Sequence, residues 1–273
     1  YSMQKDFQNA IISYEKLVQN YPNNEYNLTL GNFYLANKDF PSAQKIVEPI
    51  YLANPNDKDI IEMYLNILIA QEKTQEASDI VKKYNLEETP EGYRILGDIA
   101  LINKQYSLAE IYFQKALPFE FQSEHARKQL AESYRGQKKL CQAEQIYKML
   151  LTENKDIVHA QMGLGYVEID RKNFSNARCY FKRILAQDPK NKDAKMGIVY
   201  SYLGNGERLK ALEELSKISD DIPNDENVAL TRAQTYYAMG MPFDSKNALK
   251  GQASKNASDL RYQIRRDNAI TIT

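Results

Sequence analysis

Apolar residues along the chain recur at spacings of three and four in stretches of about 12 to 15 residues, and the stretches come in pairs. That spacing places one apolar stripe on an α-helix. A short polar turn joins the members of a pair, as in Asn37-Lys38-Asp39-Phe40, Asn103-Lys104-Gln105-Tyr106, Gly136-Gln137-Lys138-Lys139, Arg171-Lys172-Asn173-Phe174 and Gly204-Asn205-Gly206. Pro22, Pro55, Pro189 and Pro223 stand where the second helix of a pair must stop, because proline lacks an amide hydrogen and clashes with the preceding turn. A small residue marks each pair. Ala43, Ala77, Ala109, Ala143, Ala177, Ala211 and Ser245 follow at intervals of 34, 32, 34, 34, 34 and 34, and Ala10 precedes them by 33. A fixed period in this range predicts a repeat architecture in which stacked pairs share a core.

The residues around the markers resemble the tetratricopeptide repeat, which carries Leu-Gly and Tyr in its first helix, then Ala, Phe or Tyr, Ala and Pro in and after its second. Leu30, Gly31, Tyr34, Ala43 and Pro55 fit that pattern. So do Leu96, Gly97, Ala109, Phe113 and Ala116, then Leu130, Ala131, Tyr134, Ala143 and Tyr147, and then Leu164, Gly165, Ala177, Phe181 and Pro189. Tyr202, Ala211 and Pro223 follow more sparsely, and Ala233, Tyr236 and Ser245 make the weakest unit. The resemblance spans residues 6 to 255 and implies an all-α, right-handed α-solenoid of about seven to eight stacked helix-turn-helix repeats. The repeats are expected near 24–57, 58–89, 90–123, 124–157, 158–191, 192–225 and 226–255. Phe7 to Tyr21 reads as the second helix of a repeat whose first helix is missing, as in a piece cut from a longer protein.

The packing logic is steric. A small residue in the second helix, and Gly31, Gly97 and Gly165 in the first, let two helices approach closely. Large residues such as Tyr34, Phe113 and Phe181 then fill the space between neighbouring pairs, and most of the 20 Tyr and 9 Phe are expected to be core. The 32-residue interval predicts a helix ending early near Asn85, with Glu87-Glu88-Thr89-Pro90 opening the next. Pro118 is expected to leave Phe119-Glu120-Phe121-Gln122-Ser123 as a connection. Residues 256–273 leave the pattern. They read as a capping helix over Asp259 to Asp267, with Leu260 and Ile264 inward and Arg261, Arg265 and Arg266 outward, and then a strand-like Ala269 to Thr273 that could open a following domain.

Composition narrows the function. Lys plus Arg and Asp plus Glu number 36 each, so the net charge is zero, which argues against a nucleic-acid footprint or a polybasic membrane surface. No apolar run approaches the length of a transmembrane helix. Cys141 and Cys179 stand 38 residues apart, without metal-ligand spacing, and read as small buried apolar residues. His125 and His159 recur at one position of successive repeats with no acid or cysteine partner nearby in sequence. No phosphate-binding glycine loop, HExxH or serine elbow occurs. Neither catalysis, a metal site nor a cofactor is expected.

Tetratricopeptide arrays bind partners in a concave groove, and the resemblance places positions 2, 5, 9 and 12 of each first helix along it. In the middle of this chain those positions carry Glu62, Arg94, Asp98, Lys128, Glu132 and Arg135, which can pair among themselves as a solvated face. Asn32 and Asn66 share helices with Leu28 and Glu62 rather than with a lysine, so a clamp for a C-terminal carboxylate is not expected. Further along, Met162, Tyr166, Ile169, Met196, Tyr200 and Leu203 would form an exposed apolar strip suited to a peptide or helix. The alternatives for that strip are self-association and packing within the chain. The function so implied is a non-catalytic scaffold or adaptor. A second reading is similarity in layout to the periplasmic repeat arm of a bacterial outer-membrane exopolysaccharide export protein. The compartment stays open between cytoplasm and periplasm.

Overall fold

The computed structural model describes the backbone of residues 2–153 and 157–270 and the side chains of residues 8–119, 124–153 and 157–266. It divides into two compact units, one ending at Gln137 and the other beginning at Lys138. Among the described residues there are sixteen helices and no strand, an all-α arrangement of stacked helix-turn-helix repeats. In the first unit α1 (Ser2–Asn20) is followed by the pairs α2 (Asn24–Ala36) with α3 (Phe40–Ala53), α4 (Lys58–Ala70) with α5 (Thr74–Lys83), and α6 (Pro90–Ile102) with α7 (Tyr106–Ala116). α8 (Glu120–Gly136) closes it. The second unit opens with α9 (Leu140–Thr152). Its pairs are α10 (Ile157–Asp170) with α11 (Phe174–Gln187), α12 (Lys192–Gly204) with α13 (Arg208–Asp221), and α14 (Glu226–Ala238) with α15 (Pro242–Ala248), ahead of α16 (Lys255–Ile270).

The period appears twice more in the backbone and the core. The seven marker residues from Ala43 to Ser245 are all fully buried. Each first helix ends on a residue in the left-handed region: Lys38, Glu72, Lys104, Lys138, Lys172, Gly206 and Gly240, with φ between 58° and 78°. These seven repeat the intervals of the markers, including the short one. A left-handed residue there lets following amides reach back to the last turn, as Lys38 N and Asp39 N do to the carbonyls of Leu35 and Tyr34. Lysine and glutamate accept this geometry five times at some steric cost, so the turn is held by its surroundings rather than by local preference.

Tight packing follows from missing side chains. A methyl group on Gly97 would lie 2.5 Å from the Phe113 ring, and one on Gly31 would lie 2.7 Å from Val47. The residue just beyond several first helices ties that helix to the previous pair. Gln71 donates to the Phe40 carbonyl and to Gln44, Gln137 to the Tyr106 carbonyl and to Glu110, and Arg171 to Glu144.

As the short interval implied, α5 stops at Lys83, Asn85 adopts φ 53°, and Thr89 caps α6 by accepting the Gly92 amide. Several expectations need correction. Pro118 does end α7, but residues 120–123 already belong to α8 rather than to a connection. Cys141 and Cys179 are exposed, because each lies on the outward side of its helix beside a buried marker alanine. Tyr34, Tyr51, Tyr64, Tyr134, Tyr147, Phe113 and Phe181 are core, whereas Tyr21, Phe119, Phe243 and Tyr262 are exposed. α16 buries Ala257, Leu260 and Ile264 against Ala233 and Leu249, as expected of a cap. Arg261 turns inward to donate to the Leu249 and Gln252 carbonyls at the end of α15, while Arg265 and Arg266 stay exposed. α16 continues through Ile270, so Ala269 and Ile270 are helical, and Thr271 to Thr273 lie outside the described residues.

Candidate functional site

In the first unit the residues at the inner positions of the first helices separate into a locked part and an open part. The locked part is centred on Arg94, which is 8% exposed. Its guanidinium donates to Glu62 at 3.0 Å and Asn66 at 2.8 Å on α4, and approaches Asp98 at 3.5 Å one turn along α6. Asp98, 6% exposed, also meets His125 Nε2 of α8 at 2.8 Å. Glu62, Arg94, Asp98 and His125 thus run as a chain across three consecutive first helices. Beyond it, Lys128 donates to Glu124 and Arg135 to Glu132 within α8. The residues do pair among themselves, but the face is not solvated at its centre: Arg94 and Asp98 are buried because α6 is covered by both α4 and α8. His125 has an acid partner, 27 residues away in sequence and therefore invisible to local inspection.

The open part lies between α2 and α4, a cleft of about 350 Å³. Leu28, Leu35, Ile60 and Met63 make its apolar floor, and Asn32, Asn66, Asp59 and Glu62 its polar rim. Met63 packs into the space that Gly31 leaves, its methyl carbon 2.8 Å from where a Gly31 side chain would begin. Of the eight lining residues Leu28, Asn32, Leu35, Asp59, Glu62 and Asn66 occupy the groove positions, and Ile60 and Met63 do not. Asp59, at position 2, sits on the first turn of α4, where a carboxylate also favours the helix N-terminus.

In the second unit Met162, Tyr166 and Ile169 of α10 are half-buried against a core of Ala177, Phe181, Ile184 and Ile198. The Tyr166 ring meets Phe181 edge-on at 5.4 Å. Tyr200 and Leu203 of α12 rest in the same manner on Val199, Leu215 and Ile218. Met196 departs from the expectation. At 2% exposure it belongs to that core and offers no surface, because its side chain is enclosed with Ala211 and Val228. The remaining strip is half-buried rather than fully exposed. At its far edge Asn227 donates to the Tyr200 hydroxyl at 3.5 Å, and Asp225 caps α14 by accepting the Val228 amide. Burial pushes the Asp225 carboxyl up, but its hydrogen bonds from Lys192 and from the Val228 amide outweigh that and hold it below the usual carboxylate range.

Comparison with known families decides what the repeats are. Models described as "Tetratricopeptide repeat" match residues 168–235 and residues 128–192. Residues 128–235 are thus matched as tetratricopeptide repeats. Residues 3–84 match a model described as "Anaphase-promoting complex, cyclosome, subunit 3". Among solved structures, a tetratricopeptide repeat protein from Parabacteroides merdae matches with a TM-score of 0.64 at 16% identity, covering 93% of this chain and 99% of that one. The human IFIT1 dimer with m7Gppp-AAAA matches with a TM-score of 0.69 at 14% identity, over 93% of this chain and 66% of that one. At such identities the likeness shows the fold alone. The APC/C hetero-tetramer Cut9-Hcn1, at 17% identity over 90% of this chain and 56% of that one, has a TM-score of 0.44 and carries no argument. No curated protein matches the chain.

Tetratricopeptide repeats generally mediate protein–protein contacts and are typically non-catalytic. Among the described residues no helix is long and apolar enough to cross a membrane, and no group of three or more His, Cys, Asp or Glu could hold a metal ion. Of the tetratricopeptide groove residues read from the sequence, the structure brings Arg94 and Asp98 together and joins them to Glu62, Asn66 and His125. Lys128 and Glu132 remain half-buried on α8.

Proposed function

We propose that this tetratricopeptide array is a non-catalytic scaffold that holds a peptide or helix of a partner protein along its inner faces, with repeats divided near 24–57, 58–89, 90–123, 124–157, 158–191, 192–225 and 226–255. The observation that carries this reading is the half-buried row of Met162, Tyr166, Ile169, Tyr200 and Leu203. Tyr166 and Tyr200 stand at one offset in successive repeats, each backed by a packed core that fixes its ring. A rigid, amphipathic ring with one face still accessible loses little conformational freedom on binding. The unbranched Met162 adapts its shape beside them. Within the first unit Arg94 and Asp98 tie α4, α6 and α8 together, since their hydrogen-bonding capacity is committed between those helices. Lys128 and Glu132 act as rim charges that bias which partner approaches.

The test is affinity capture by the wild-type chain and by a Tyr166→Ala/Tyr200→Ala variant, with helicity and melting compared in parallel. Partners lost by the variant, at a cost of about 2 kcal/mol or more in measured affinity, support the reading. Unchanged capture by a folded variant sinks it for this strip, and a shift from dimer to monomer in sedimentation points instead to self-association. The export-arm reading gains no support from the comparisons, and no feature of the structure favours it over the scaffold.

A further inference from the structure

We propose that the α2–α4 cleft is a docking site for a basic, aliphatic-anchored segment of another polypeptide, distinct from the tyrosine strip of the second unit. The proposal deepens the scaffold reading and rests on it in one respect, that the chain holds partner segments. Three observations support the choice of occupant. First, the cleft is an apolar depression of about 350 Å³ floored by Leu28, Leu35, Ile60 and Met63, at the small end of ligand pockets and suited to a branched aliphatic side chain. Second, no lysine or arginine lines it, while Asp59 and Glu62 do. The nearest buried cation, Arg94, is already bonded to Glu62 and Asn66 and compensated by Asp98, so it offers no positive charge to a ligand. Lys58 precedes Asp59 but does not line the cleft.

Third, two carboxylates are uncommitted: Asp59, which lines the cleft, and Glu25, which does not line it but stands one turn before Leu28 on the same face of α2. Asp59 lies on the first turn of α4, and Glu25 occupies the same offset from its marker alanine on the first turn of α2. Among the described residues neither carboxylate has an ion-pair partner. Two free carboxylates one repeat apart, with an apolar floor below them, complement a segment that inserts an aliphatic side chain and places lysine or arginine on either side. An acidic segment would meet like charge at both ends, which costs affinity and slows encounter. The exposed amide of Asn32 offers hydrogen bonds to its backbone, so the complement does not depend on charge alone.

Fluorescence anisotropy tests this with a short labelled peptide alternating leucine and lysine, blocked at both ends. Its controls carry glutamate for lysine, or serine for leucine. The leucine–lysine peptide is expected to bind at least about tenfold more tightly than either control. Glu25→Gln/Asp59→Asn is expected to weaken it about three- to tenfold at low salt, and that difference should collapse near 1 M salt, where charges are screened within about 3 Å. Leu28→Lys, which puts a cation into the cleft, should abolish binding. Glu25, Asp59 and their replacements are exposed, so folding is preserved, and circular dichroism checks it. Tyr166→Ala/Tyr200→Ala should leave peptide binding unchanged. Equal binding of the leucine–glutamate peptide, or no binding of the leucine–lysine peptide, overturns the proposal. So does binding lost with the tyrosine variant and kept by the cleft variants. In that last case the scaffold reading stands and only the cleft falls, whereas loss of partner capture by neither variant would count against the scaffold itself.

Discussion

The Phe181 side chain is fully buried, and two glycines from successive first helices close on it. A methyl group built on Gly165 of α10 would lie 2.6 Å from the ring, and one built on Gly197 of α12 would also lie 2.6 Å from it. Carbon atoms prefer about 3.5–4.0 Å, so a single methyl must displace the ring by roughly 1 Å. The ring cannot retreat, because the opposite glycine already receives it. Alanine would otherwise be the better helix former by about 0.8–1.0 kcal/mol. Overpacking a filled core costs about 1–3 kcal/mol. Their difference predicts that Gly165→Ala destabilises the protein by about 1 kcal/mol. In a Phe181→Leu background the clash is relieved, and the same replacement should stabilise by up to about 1 kcal/mol. A double-mutant cycle on urea unfolding, followed by circular dichroism with hydrogen exchange across α10 to α12 as the local readout, should therefore give a coupling of about 2 kcal/mol. Stabilisation by Gly165→Ala in the wild-type background, of the size seen for an open helix glycine, would refute the claim that this glycine exists to admit the ring.

Two further perturbations test the charged interior and the caps. Arg94→Met removes the cation between Glu62 and Asp98 and should cost about 3–5 kcal/mol in urea unfolding, because it strands buried carboxylate charge; a loss under 1 kcal/mol would show the chain of ion pairs to be solvated after all. Asp225 is held below its ordinary range in the folded state, so the stability it contributes is present above about pH 4 and is lost as pH falls through its depressed value. Asp225→Asn keeps the cap but loses the ion pair with Lys192, and should cost about 1 kcal/mol at pH 7, with the variant and wild-type stability curves converging in acid; parallel curves down to pH 2 would be the contrary result.

The repeat was legible in the sequence because it is written in residues whose role is local and steric. A small residue at one place in each pair can be recognised without knowing its neighbours, and the interval between Ala77 and Ala109 locates the shortened α5 for the same reason. Residues whose fate depends on what another repeat brings were not legible. Arg94 and Asp98 look like groove charges in the linear pattern, yet α4 and α8 cover them and supply Glu62, Asn66 and His125. Met196 and Met162 share an offset, but one is enclosed and the other half-exposed, because the helices flanking them carry different side chains. Cys141 and Cys179 have the composition of core residues and the helical phase of surface ones.

By itself the sequence determined the all-helical class, the phase of the paired helices and the turns between them, since periodicity and steric size act over a few residues. Only the tertiary structure decided which inner positions are buried ion pairs, which tyrosines keep an accessible face, and that a cleft lies between α2 and α4. Burial and electrostatics are set by everything within a few ångströms, and in a stacked repeat those neighbours arrive from about 30 residues away.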